Sequence, residues 1–134
     1  VIILTNTASQ ELAPGQSLIF DTEVLHTGCA ECHRINSGAV TLRRRQAVYG
    51  INFGANIGAT APGVAQLAIE VNGSPLIETT MISTTASAGD VNNVAKTTAV
   101  QTCCCGPETV TIVNTGATTI VVEKNPSLFI KRIA

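Results

Sequence analysis

The sequence predicts an all-β domain folded as a two-sheet antiparallel sandwich of jelly-roll type, with about ten short strands. Three observations carry this: apolar residues recur at a period of two, β-branched runs alternate with turn residues, and no segment shows a helical stripe. Residues 1–11 read as a lead-in arm or strand. In "AVYGINFGANI", Tyr49, Ile51, Phe53, Ala55 and Ile57 share one face, while Asn52, Gly54 and Asn56 fall on the other. In "VAQLAIEV", Leu67, Ile69 and Val71 alternate with Gln66, Ala68 and Glu70. "VNGSP" (71–75) is the clearest hairpin signal, because Asn-Gly readily takes the positive φ angles of a type I′ turn. Residues 86–95 read as a loop entering a strand. "ETVTIVN", "TTIVVE" and "SLFIKRI" then follow as short runs separated by Asn114-Thr-Gly116 and Asn125-Pro126.

A length of 134 residues fits one domain spanning 1–134. Charged residues make up 13% of the chain and apolar ones 45%, so some of the nominal surface is expected to be covered by further copies of the chain. The net charge of −1 excludes the basic footprint that nucleic acid or an anionic membrane requires. The local run Arg43-Arg44-Arg45 reads as a solvated edge or an inter-subunit pairing site. No run approaches the length of a membrane span, and "VIILTNTASQ" lacks the basic start and apolar core of a signal peptide. Because the chain begins with Val, it is expected to be a processed or excised piece. Five cysteines favour an oxidising, extracellular setting, and their odd number leaves at least one outside any intrachain pairing.

The order and spacing of "AVYGINFGANIGA", "VAQLAIEVNGSPL", "NNVAKTTAVQT", "ETVTIVNTGATTIVV" and "SLFIKRIA" resemble a known family over residues 12–134. It is the C-terminal jelly-roll domain of bacterial collagen-like surface proteins of the BclA type, itself similar to the tumour-necrosis-factor and complement-type trimeric jelly roll. The resemblance implies two stacked antiparallel sheets, a compact homotrimer, no catalytic residues and no cofactor. It also implies a place at a cell or spore surface, often at the end of a collagen-like stalk; these residues contain no Gly-X-Y stalk. Near a three-fold axis, Tyr49, Ile51, Phe53, Phe129 and Lys131 become interface candidates. Gly50, Gly54 and Ala68 are then the small outward residues that let backbones approach. On the family's topology, residues 27–38 form the connection entering "AVTL", and residues 103–107 form the turn before "ETVTIV".

The cysteines need a separate weighing. Cys29-Ala-Glu-Cys32-His33 has the spacing of covalent haem attachment, with Met81 or His26 as a sixth ligand. A haem, however, needs bulky apolar shielding, and the chain has three Phe, one Tyr and no Trp. His26, Cys29, Cys32 and His33 offer zinc-ligand chemistry, but the run Cys103-Cys104-Cys105 lacks the gap of a second zinc knuckle. Disulfides and thiols in surface turns are the favoured reading for Cys29, Cys32, Cys103, Cys104 and Cys105. A bond tying the CxxC loop to the triple-Cys turn comes first, and a Cys29–Cys32 or inter-subunit bond second. Neighbours in the triplet are poor partners for each other. The expected function is therefore structural trimerisation of a surface or spore-coat protein, with coat proteins or glycans as further partners. The alternatives are a ligand- or receptor-binding tip of a surface or phage fibre, and a metal or haem protein using the CxxCH loop.

Overall fold

A computed structural model describes residues 1–104 and 107–134 of the chain. Its spine is β6 (Val48–Ala59), whose alternation turns Tyr49, Ile51, Phe53, Ala55 and Ile57 into the interior. Along one side runs β10 (Val91–Gln101), paired in unbroken antiparallel register from Val91↔Gly58 to Gln101↔Val48. Along the other side β12 (Ile120–Val122) and β13 (Ser127–Arg132) lie end to end. The break between them falls at Asn125, held at φ +67°, and at Pro126, which has no N–H for a ladder. Next come β2 (Gln10–Leu12) against β12 and β1 (Ile2–Thr5) against β13, with β3 (Thr22–His26) at the edge beside β1.

The second sheet orders β4 (Glu31–His33), β5 (Val40–Leu42), β11 (Glu108–Asn114), β7 (Gly63–Val71) and β8 (Ser74–Pro75), with β9 (Met81–Thr85) also paired to β7. A 3₁₀ turn at Ile77–Thr79 links β8 to β9. The two sheets contain seven and six strands among the described residues, all pairings being antiparallel. The all-β sandwich is thus the fold observed. The strands differ in length from expectation: β6 has 12 residues and β10 has 11, and they are joined by several very short ones. The hairpin at 71–75 forms as its chemistry requires, with Asn72 at φ +52° and Gly73 at φ +83°. Residues 1–11 supply two strands, and the Ile2 and Leu4 side chains of β1 are fully buried.

The core lies between the sheets and corrects one expectation. Tyr49, Ile51 and Phe53 are 0%, 0% and 2% exposed, so their side chains belong to the subunit's own interior and leave nothing for a second copy. They are covered by the chain's second sheet. Ala68 is likewise buried and presents no outward surface. Phe129 and Lys131 do project from the opposite face of the first sheet, half-buried and exposed respectively.

Two polar ties fix the loops. Asn114, fully buried at the end of β11, donates from Nδ2 to the carbonyls of Leu12 (3.0 Å) and Thr118 (2.8 Å). Its Oδ1 accepts from the Gly116 N–H at 3.0 Å, so one side chain joins the two sheets and shapes the turn that follows. Asp21 accepts from the hydroxyls of Thr22 (2.7 Å) and Thr7 (2.9 Å) and from the Thr7 N–H. These bonds, the Thr22 hydroxyl first, hold its carboxyl below the ordinary range.

Replacing Asn114 by Leu is expected to cost about 3 kcal/mol of stability, read as a lower urea midpoint at unchanged slope, since three backbone groups lose their partner. For Asp21 the folded value lies below the unfolded one. Its bonds therefore add stability above the unfolded pKa, and this is lost as pH falls through the depressed folded value. An NMR titration of Thr22→Val is expected to show the Asp21 carboxyl moving up towards its ordinary value of 3.8.

Candidate functional site

The CxxCH segment sits at one end of the sandwich and is divided by strand alternation. On β4, Glu31 and His33 point inward and Cys32 points outward, because successive residues of a strand face opposite sides. Cys32 and His33 therefore do not face a common point. His33 Nε2 donates to the Ser37 carbonyl at 2.8 Å, and the ring stands edge-on to Phe20. Its Nδ1 lies 3.6 Å from Glu23 Oε1, while His26 Nδ1 lies 3.2 Å from Glu23 Oε2. His26 Nε2 donates to the Glu31 carbonyl at 2.9 Å. Met81 is buried in the core on β9. The ligand sets drawn from His26, Cys29, Cys32 and His33 are thus not assembled. Among the described residues, no group of three or more His, Cys, Asp or Glu is placed to hold a metal ion.

Three loops meet here instead. Cys29 lies in an exposed turn after Gly28, whose φ of +79° suits glycine. Arg44 Nη2 donates to Cys29 Sγ at 3.2 Å, and Arg43 Nη2 reaches Cys32 Sγ at 3.6 Å. Tyr49 Oη donates to the Ala30 carbonyl (2.8 Å) and accepts from the Arg44 N–H (3.2 Å), fastening the cysteine turn to the arginine turn. Thr102 Oγ1 donates to the Arg44 carbonyl (2.6 Å) and accepts from the Ala47 N–H (3.0 Å). The Cys103 carbonyl accepts from the Gln46 N–H at 3.4 Å. The CxxC loop and the start of the triple-Cys turn therefore flank the same arginine segment. Neither Cys29 nor Cys32 is in a disulfide, so the expected bond between the two loops is not present at either residue. Cys105 lies outside the described residues.

Beneath this end, Glu31 is almost fully buried. It accepts from the Val1 amino group at 2.9 Å through Oε2 and from the Arg132 N–H at 3.2 Å through Oε1. Sequence reasoning missed Glu31, Thr102 and the Tyr49 hydroxyl. Only Glu31 carried a signal, as the inward position of a strand cut short by the Gly28 turn.

The outward face of the first sheet is the larger feature. β6 presents Gly50, Asn52, Gly54 and Asn56, and across the register β10 presents Ala99, Thr97, Ala95 and Asn93. On the other flank β13 presents Lys131, Phe129 and Ser127. Asn56 Oδ1 accepts from Asn93 Nδ2 at 3.0 Å and Asn52 accepts from the Thr97 hydroxyl, so the amides lie sideways along the sheet. The β6 row carries only glycines and amides, and Lys131 is the one charge in these three rows. Neither Gly50 nor Gly54 has a positive φ. A Cβ on Gly54 would meet nothing nearer than 3.8 Å, and one on Gly50 likewise. The fold of the single chain does not require glycine at either position. Beside this face the open edge between β9 and β10 carries apolar knobs, Ile77 being 84% and Ile82 60% exposed.

No protein-family model and no curated protein matches the sequence. Solved structures do match in fold. The Eiger TNF of S. frugiperda superposes with a TM-score of 0.74 at 9% identity, over 99% of this chain and 91% of that one. The globular domain of the zebrafish complement 1qA protein gives 0.64 at 12% identity, over 96% and 94%. Murine APRIL gives 0.60 at 14% identity, over 97% and 96%. The fold is a TNF-like jelly roll. Among the described residues, no helix is long and apolar enough to cross a membrane.

Replacing Tyr49 by Phe is expected to cost about 1–3 kcal/mol, because it strips partners from the Ala30 carbonyl and the Arg44 N–H. Amide exchange at Arg44 should accelerate while that of β7 stays slow.

Proposed function

We propose that this chain is a structural trimerisation module of the BclA-type collagen-like class, working at a bacterial cell or spore surface. Its work is assembly: three copies close around an axis and set the register of whatever is attached. The observation that carries this reading is the pair Gly50 and Gly54, small residues on an outward sheet face that their own chain leaves room to enlarge. A neighbouring copy packed against that face supplies the missing constraint. The apolar edge bearing Ile77 and Ile82 is its complement, and an edge-on-face contact repeated by rotation closes into a ring. The likeness in fold to complement and TNF domains agrees with this reading. Phe129 and Lys131 remain interface residues on it, whereas Tyr49, Ile51 and Phe53 act from inside the subunit. Coat proteins and surface glycans are the further partners.

A second reading, a binding tip of a surface or phage fibre, is favoured by a groove of about 530 Å³ lined by Gln10, Gln16, Ser17 and Asn36. Such neutral amides and hydroxyls suit a glycan.

Gly54→Arg tests the first reading. The subunit has room for a Cβ at this outward position, so the circular dichroism spectrum should be unchanged, while size-exclusion elution should shift from trimer to monomer. A folded variant that still elutes with the unmodified protein would refute it.

A further inference from the structure

The cysteine–arginine end carries chemistry that the proposed assembly does not use. Arg43, Arg44 and Arg45 are all exposed, and among the described residues no carboxylate forms an ion pair with them. Of the nearby acids, Glu31 is turned inward and accepts from the Arg132 N–H, and Glu108 Oε1 accepts from the Cys103 N–H at 3.2 Å. Three exposed guanidinium groups on consecutive residues, none of them ion-paired among the described residues, make an anion-attracting patch on a chain whose net charge is −1. Two of them point at sulfur, Arg44 at Cys29 and Arg43 at Cys32. The patch thus places positive charge within reach of two thiols that project from the surface.

We infer that the exposed turn holding Cys29, framed by Arg43, Arg44 and Arg45, is a thiol–disulfide exchange site for small anionic disulfides of the glutathione-disulfide class. The guanidinium groups attract the carboxylates of the incoming molecule and bring its S–S bond to Cys29, the more exposed thiol. Cys29, having released its proton to water, attacks one sulfur. A bond forms between Cys29 Sγ and that sulfur, the original S–S bond breaks, and the other half leaves as a thiolate with the electron pair. The disulfide is the oxidant, so no other redox partner is required. Selectivity comes from charge, so the exchange should weaken as salt screens the patch.

The test compares two probes on the full chain, anionic glutathione disulfide and cationic cystamine, with modified cysteines located by peptide mass mapping. In the native protein Cys29 is expected to favour the anionic probe by about tenfold more than it does in urea-unfolded chain. The preference should collapse near 1 M salt. It should also collapse in the double variant Arg43→Gln, Arg44→Gln, whose exposed positions leave the fold intact. The same anionic-to-cationic ratio in native and unfolded chain would overturn the inference. So would a preference that survives the double variant, or cross-linking between chains in place of the mixed disulfide.

Discussion

The structure depends on the two unlike faces of one long strand. β6 turns Tyr49, Ile51, Phe53 and Ile57 inward, where each large apolar side chain contributes roughly 1.5–3 kcal/mol by leaving water. Outward, from Gly50 to Asn56, it shows only glycine and asparagine. Because β10, β12 and β13 all take their register from β6, a slip of one residue would exchange these faces, exposing the core and burying amides. The same alternation that secures the core therefore also leaves this outer row to glycines and amides.

That coupling explains the sparse charge of the sequence. The rows of Gly50, Asn52, Gly54 and Asn56 on β6 and of Ala95 and Thr97 on β10 carry no long side chain that would keep another sheet away. The β6 amides bond sideways to Asn93 and Thr97, so their hydrogen-bonding groups are partly satisfied before anything approaches. With the β13 row alongside, Lys131 is the one charge in these rows, whereas three consecutive arginines stand beside the cysteine turn at one end of the sandwich.

Much of the fold was legible because period two is a local property. The strands at 48–59 and 63–71, the Asn-Gly hairpin and the turns at 114–116 and 125–126 could all be read from neighbouring residues. What alternation cannot reveal is which neighbour covers a face. Tyr49, Ile51 and Phe53 were correctly grouped as one surface, yet the cover is the chain's own second sheet and not another copy. Strands of three or four residues such as β1 and β4 were indistinct, since so few residues define no period. The CxxCH spacing does not make a ligand set for a related reason. A linear motif presumes that its residues converge, and on β4 the backbone sends Cys32 and His33 to opposite sides. The proximity of the arginine turn to both cysteine segments is a tertiary fact, made by Tyr49 and Thr102, and no spacing along the chain encodes it.

Whether the outward face of the first sheet is covered by copies of the same chain is tested most directly by sedimentation equilibrium of the unmodified protein at micromolar concentration. A single species with three times the 13.9 kDa subunit mass is the expected result. A folded species that remains at the subunit mass throughout that range would contradict it.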